Sequence, residues 1–217
     1  MSRNWRSVRT SSQIFAALLL ALFASRAWTA DLVVQVTGAN GKPVADAVVE
    51  LHAVGRPTPV GRVGGPYVVN QKDIQFHPFV TIVPVGADVS FPNLDPVRHH
   101  VYSFSPAKRF ELKLYAKDQT RSVRFDRAGL VAVGCNIHDA MSAFIYVADT
   151  AWAGRTEGPG RVTINVPPGT YKLAVWHPYS RAPGGRIERQ IQVAAGGSRE
   201  AVSVPLRAPP LHDMSAY

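Results

Sequence analysis

The chain has 217 residues, 46% of them hydrophobic, with a single cysteine and a formal net charge of +9. That length suffices for one or two domains with their own hydrophobic cores, and one cysteine excludes an internal disulfide. No lysine and arginine cluster interleaved with aromatics is present, which argues against a nucleic-acid partner.

In chain order, the first predicted element is a leader over residues 1–30. Arg3, Arg6 and Arg9 precede the apolar run IFAALLLALFA (14–24), and small residues follow at Ser25, Ala27 and Ala30. This pattern reads as a secretory signal peptide, cleaved after Ala27 or Ala30. The alternative, an uncleaved anchor, is disfavoured because a spanning helix needs about 20 apolar residues. Loss of Arg3, Arg6, Arg9 and Arg26 with the leader leaves 20 basic against 15 acidic residues, a charge of +5. The expected location is the periplasm, with no membrane attachment after cleavage. In such an oxidising compartment a lone thiol is a liability unless it is buried or occupied. Cys135 is therefore either a core residue or a metal-bound thiolate.

The rest of the chain is rich in Val, Pro and Gly and shows almost no helical periodicity. DLVVQV (31–36) and AVVELHAV (47–54) are predicted strands around the turn GANGK (38–42), followed by the loop GRPTPVGRVGG (55–65). A second block opens near Tyr67. YVVNQ, FVTIVPVGADVSFPN (79–93), VYSF (101–104), SVRFD (122–126), LVAVGC (130–135) and FIYVAD (144–149) are its strand candidates. PAKRFELKLYAKD (106–118) is expected to be loop and short strand. A third block contributes RVTINVPPGTYKLAVWHP (161–178), with a PPG turn, then RIERQIQVAAGG (186–197) and EAVSVPL (200–206). Residues 207–217 read as a tail.

The fold class is all-β. The expected domains are 31–66 and 152–206 as two parts of one sandwich, with 67–149 inserted between them as a second sandwich or barrel. Neither outer part alone has enough strands to bury a face.

The chemistry concentrates in GCNIHDAM (134–141), which places Cys135, His138 and Met141 at intervals of three. A soft thiolate, an intermediate imidazole and a weak thioether suit an ion that must be stable as Cu(I) and as Cu(II). Zinc would gain little from the methionine. Cys135 as plain core filler does not require His and Met at those offsets, and a Cys–His nucleophile pair would want an orienting third group. A second histidine must come from elsewhere, and FPNLDPVRHHVYSF (91–104) offers His99 and His100. Neighbours on a strand point to opposite faces, so only one of the two can face a metal. His77 and His177 read as structural, Met141 taken alone would read as core filler, and His52 and His212 carry no signal.

Asn93 and HHV (99–101), together with AGLVAVGCNIHDAM (128–141) and the strand after it, resemble the cupredoxins, the family of plastocyanin and amicyanin. The likeness covers about residues 67–149, including QFHPFVTIVPVGADVSFPN (75–93). It implies a Greek-key sandwich holding one copper ion. His99, Cys135 and His138 would be equatorial ligands, and Met141 axial. The family has Asn where this chain has His100, so the doublet leaves His99 and His100 as alternatives. The resemblance implies that electrons leave at His138, within an apolar patch of Ile137, Ala140, Pro92 and Pro96. Asp139 departs from the family; it either favours a cationic partner or is an ordinary solvated carboxylate.

GKPVADAVVEL (41–51) and VPPGTYKLAVWHP (166–178) are similar to the carboxypeptidase regulatory-like module, a transthyretin-type sandwich. The combination resembles exported methylamine-utilisation-type proteins. The implied role is a periplasmic one-electron carrier between redox proteins such as a cytochrome or dehydrogenase, and not an enzyme. The alternatives are an accessory protein that sequesters or delivers copper or assists amine dehydrogenase maturation, and a structural domain that never meets copper.

Overall fold

The computed structural model describes residues 29–208. Nearly all of the leader (residues 1–28), most of the tail (209–217) and His212 lie outside the described residues. The regular structure is β apart from one short 3-10 turn, Pro183–Gly185. In chain order the strands are β1 (Ala30–Gly38), β2 (Val48–Ala53), β3 (Asn70–Lys72), β4 (Gln75–His77), β5 (Val80–Pro84), β6 (Ala87–Pro92), β7 (His99–Ser105) and β8 (Lys108–Tyr115). They continue as β9 (Thr120–Phe125), β10 (Gly129–Gly134), β11 (Ser142–Ala148), β12 (Ala153–Arg155), β13 (Arg161–Val166), β14 (Gly169–Trp176), β15 (Arg186–Val193) and β16 (Ser198–Val204).

Two layers are built jointly from the two ends of the chain. One sheet runs β13-β1-β16 and the other β12-β2-β14-β15. β1 shows why this happens. Its alternation puts Leu32, Val34 and Val36 on one face, all fully buried. Those side chains meet Leu51, Leu173 and Val175 of the facing sheet. β1 is antiparallel to β13 and parallel to β16, so the early strand closes only when residues near 165 and 200 reach it.

The middle stretch makes its own sandwich. A five-stranded sheet runs β5-β11-β10-β7-β8, and the β6-β9 pair lies across the core from it. Val89 and Phe91 of β6 and Phe125 of β9 pack against Val101, Val131 and Ile145. The chain crosses between these layers after β5, β6, β8 and β9.

The stretch 106–118, expected to be loop and short strand, instead carries the eight-residue strand β8. Its sequence alternates, with Phe110 and Leu112 turned to the core between exposed Arg109, Glu111 and Lys113. Pro106 and Ala107 make the tight turn that folds it onto β7, where Ser105 pairs with Lys108.

β11 is apolar on both faces, and both are used. Ala143, Ile145 and Val147 enter the middle core. Phe144, Tyr146 and Ala148 face a third cluster that contains Val48, Val63 and Trp176 from the outer sandwich. The Trp176 ring lies 5.8 Å from that of Phe144 and 5.6 Å from that of Tyr146. Beside them Arg186 donates to Glu50 at 3.2 Å and also to the Tyr146 hydroxyl. Because Trp176 is buried at this junction, Trp176→Ala is expected to cost about 3–5 kcal/mol of stability, measured by denaturant unfolding.

Candidate metal centre

Strand ends place the chemistry. Cys135 directly follows β10, and Met141 directly precedes β11, so the loop between them is held at both ends by a paired strand. The Cys135 N–H donates to the Met141 carbonyl at 3.3 Å, and the Met141 N–H donates to the His138 carbonyl at 3.0 Å. Cys135 and Met141 are both buried in the middle core. His138 is half-buried at the loop's outer side.

His99 opens β7. Cys135 Sγ and one ring nitrogen from each of His99 and His138 lie within 4.8 Å of one another. His138 Nδ1 is 3.8 Å from the sulfur, and the two imidazole rings are 5.0 Å apart. His99 Nε2 is occupied by Asp95 Oδ2 at 2.7 Å, which leaves Nδ1 for the cluster. That Nδ1 is buried and has no hydrogen-bond partner of its own.

His100 is also buried, but it serves another neighbour. Its Nε2 lies 2.9 Å from Glu111 Oε1 on β8, and it is not in the cluster. A register shift between His99 and Val101 breaks the simple alternation of the strand at the doublet.

The loop before His99 is built on Asn93, which is fully buried. Its Nδ2 donates to the carbonyls of Val97 (2.8 Å) and Tyr115 (3.1 Å), and its Oδ1 accepts the Asp95 N–H (2.9 Å). Asp95 is the residue that sequence reasoning missed. The only signal in the sequence was an acid four positions before a histidine. Asp95 is 5% exposed, and its carboxylate touches the cluster at His99.

The electrostatics follow from this packing. Burial pushes the Cys135 thiol up, but the His99 imidazole, the N–H groups of Ile137 and His100, and His138 outweigh it and bring the thiol down to about 6. Burial alone would lower His99; Cys135 and Asp95 beside it raise it above the ordinary imidazole range. Burial raises Asp95, yet His99 and the N–H groups of Ile74 and Asp73 hold it below the ordinary carboxylate range. The thiolate absorbance of the metal-free protein is therefore expected to titrate near 6, well below the ordinary value of about 8.5. His99→Ala should move that midpoint upward, and an unshifted midpoint in the parent chain would contradict the cluster.

The other candidates are spread more widely. The loops that carry the cluster expose Leu94, Val97 and Ile137, each more than two-fifths accessible. Pro92 and Ala140 are half-buried, and Pro96 and Asp139 are exposed. His77 ends β4 on the surface. His177 is buried, its Nδ1 accepts the Tyr179 N–H, and burial lowers its basicity. Glu50, His52 and Asp149 form a second convergent group, but Arg186 sits against Glu50 and makes it an ion-pair network between the two sandwiches.

No family model matches the chain, and no curated protein matches it. Among solved structures it is similar to a mutant amicyanin in the reduced Cu(I) form at pH 4, with 22% identity and a TM-score of 0.36, over 40% of this chain and 85% of that one. It is similar to a purple cupredoxin from Nitrosopumilus maritimus, with 18% identity and a TM-score of 0.35, over 38% of this chain and all of that one. It is also similar to a copper-containing nitrite reductase from Thermus scotoductus, with 22% identity and a TM-score of 0.37, over 53% of this chain and 28% of that one.

Proposed function

We propose that this chain is an exported copper protein that carries single electrons between redox proteins in the periplasm, without turning over a substrate. The observation that carries the reading is the convergence of the Cys135 sulfur with ring nitrogens of His99 and His138 inside 4.8 Å. The donor chemistry fits the ion. A sulfur that is anionic near neutral pH (Cys135), an unpartnered buried imidazole nitrogen (His99) and a second imidazole (His138) would hold it, with the buried Met141 at the end of the same loop as a soft thioether donor. Copper held there would supply a one-electron couple.

The chain's own residues do the rest. Strands β10 and β11 fix the two ends of the Cys135–Met141 loop, and Asn93 and Asp95 fix His99, so the donors have little freedom to move when charge changes. His138 alone of the three reaches toward solvent, which makes its ring the route by which an electron would pass to a docked partner. The exposed Leu94, Val97 and Ile137 supply apolar surface on the same two loops.

The test is the spectrum of purified, copper-loaded protein. The expected result is intense visible absorption from sulfur-to-copper charge transfer, narrow copper hyperfine splitting and reversible one-electron reduction. Tight but colourless Cu(I) binding would favour the delivery or maturation role instead. Failure to bind either ion would overturn both.

A further inference from the structure

The hairpin β3–β4 is closed by a two-residue turn, Asp73 and Ile74, at φ of 55° and 54°. Both residues sit in the left-handed region. Hairpins of this kind normally place Asn or Gly there, and a β-branched residue at positive φ is a real steric outlier. Strain of this sort persists only where the surrounding structure over-determines it.

What over-determines it is Asp95. The Asp73 N–H donates to Asp95 Oδ1 at 2.7 Å, and the Ile74 N–H donates to Oδ2 at 3.0 Å. The same Oδ2 lies 2.7 Å from His99 Nε2. The hairpin is also tied along the loop, since the Leu94 N–H donates to the Gln71 carbonyl at 2.8 Å. Two successive amides in this conformation form a concave anion seat, and the buried carboxylate fills it.

We infer that the Asp73–Ile74 turn is an anion clamp that seats Asp95 against His99, and that Asp95 is a positioning residue that sets the reduction potential of the metal held at His99. The second half rests on the copper reading above. A carboxylate that accepts from the far nitrogen of a ligating imidazole orients the ring and makes it a stronger donor. Stronger donation favours the more highly charged Cu(II) over Cu(I), so the clamp lowers the potential.

The test uses Asp95→Asn and Ile74→Gly in the full chain. Asp95→Asn keeps the size and removes the charge. Its copper should remain bound and coloured, while the Cu(II)/Cu(I) balance against a fixed mediator shifts about tenfold or more toward Cu(I), which is about 59 mV for one electron. Ile74→Gly keeps the N–H that holds Asp95 and relieves the positive-φ strain, so the potential should stay put; a shift as large as that of Asp95→Asn would overturn the view that the amide, and not the side chain, does the seating.

Amide hydrogen exchange in metal-free protein reads the clamp without copper. Asp73 and Ile74 should be protected in the parent chain and exchange about tenfold faster or more in Asp95→Asn. Fast exchange of both amides in the parent chain overturns the clamp, whether or not the variant folds. An unchanged potential in copper-loaded Asp95→Asn overturns the potential-setting role. A parent chain that binds no copper overturns that role together with the copper reading, and leaves the exchange data to judge the clamp.

Discussion

Cys135→Ser is expected to abolish the intense visible absorption of the copper-loaded protein and to weaken Cu(II) binding by more than about 100-fold, the upper end of what loss of a partner behind a ligand costs. The substitution changes one atom, so packing is nearly conserved. The hydroxyl cannot do what the thiol does. Neighbouring groups bring the thiol down to about 6, so it is anionic at neutral pH, whereas a serine stays neutral there and is a hard donor. The position is 4% exposed, but the N–H groups of Ile137 and His100 and the two imidazoles can hydrogen-bond a hydroxyl there, so the stability of the metal-free protein should change by only about 1 kcal/mol. Titration with Cu(II), followed by absorbance and by thermal unfolding of the metal-free protein, separates the two effects. Undiminished colour in this variant would mean that the sulfur is not a ligand.

The histidine doublet gives the second large effect. His99→Ala should lose copper binding, while His100→Ala should keep it with its colour intact. The two side chains are adjacent and both buried, yet their surroundings differ in kind. His99 presents one nitrogen to the sulfur cluster and the other to the buried Asp95, so its removal also strands a carboxylate away from water. Breaking a buried pair in this way costs about 3–5 kcal/mol. His100 pairs with Glu111, whose side chain is 61% exposed, so the ion pair itself is worth at most about 1 kcal/mol. Parallel copper titrations and denaturant unfolding of the two variants decide it. Copper retained by His99→Ala and lost by His100→Ala would reverse the assignment.

The doublet also shows where a sequence stops being informative. Alternation along a strand says that two neighbours diverge, but not which faces the metal. Here a register shift sits at the doublet, and both rings are buried. Only the positions of Asp95 on one side and Glu111 on the neighbouring strand separate their roles. Asp95 was illegible for the same reason. In the sequence it is a loop acid before a proline. Its meaning comes from two backbone amides some 21 and 22 positions earlier and an imidazole four positions later. Likewise, Leu94 and Val97 carry the exposed apolar surface beside the cluster, while Pro92, chosen for the patch, is half-buried.

By itself the sequence determined what depends on near neighbours. Apolar, Val-rich runs broken by Pro and Gly, with almost no helical periodicity, set the all-β class, and the spacing of Cys135, His138 and Met141 set one short loop rich in soft donors. These follow from backbone geometry over a few residues, which does not need the rest of the chain. The tertiary structure alone decided which distant partners meet: His99 with Cys135 across 36 positions, Asp95 with a strained turn, and Phe144 and Tyr146 with Trp176. Such meetings are fixed by strand register and sheet order, where a shift of one residue turns every side chain to the opposite face.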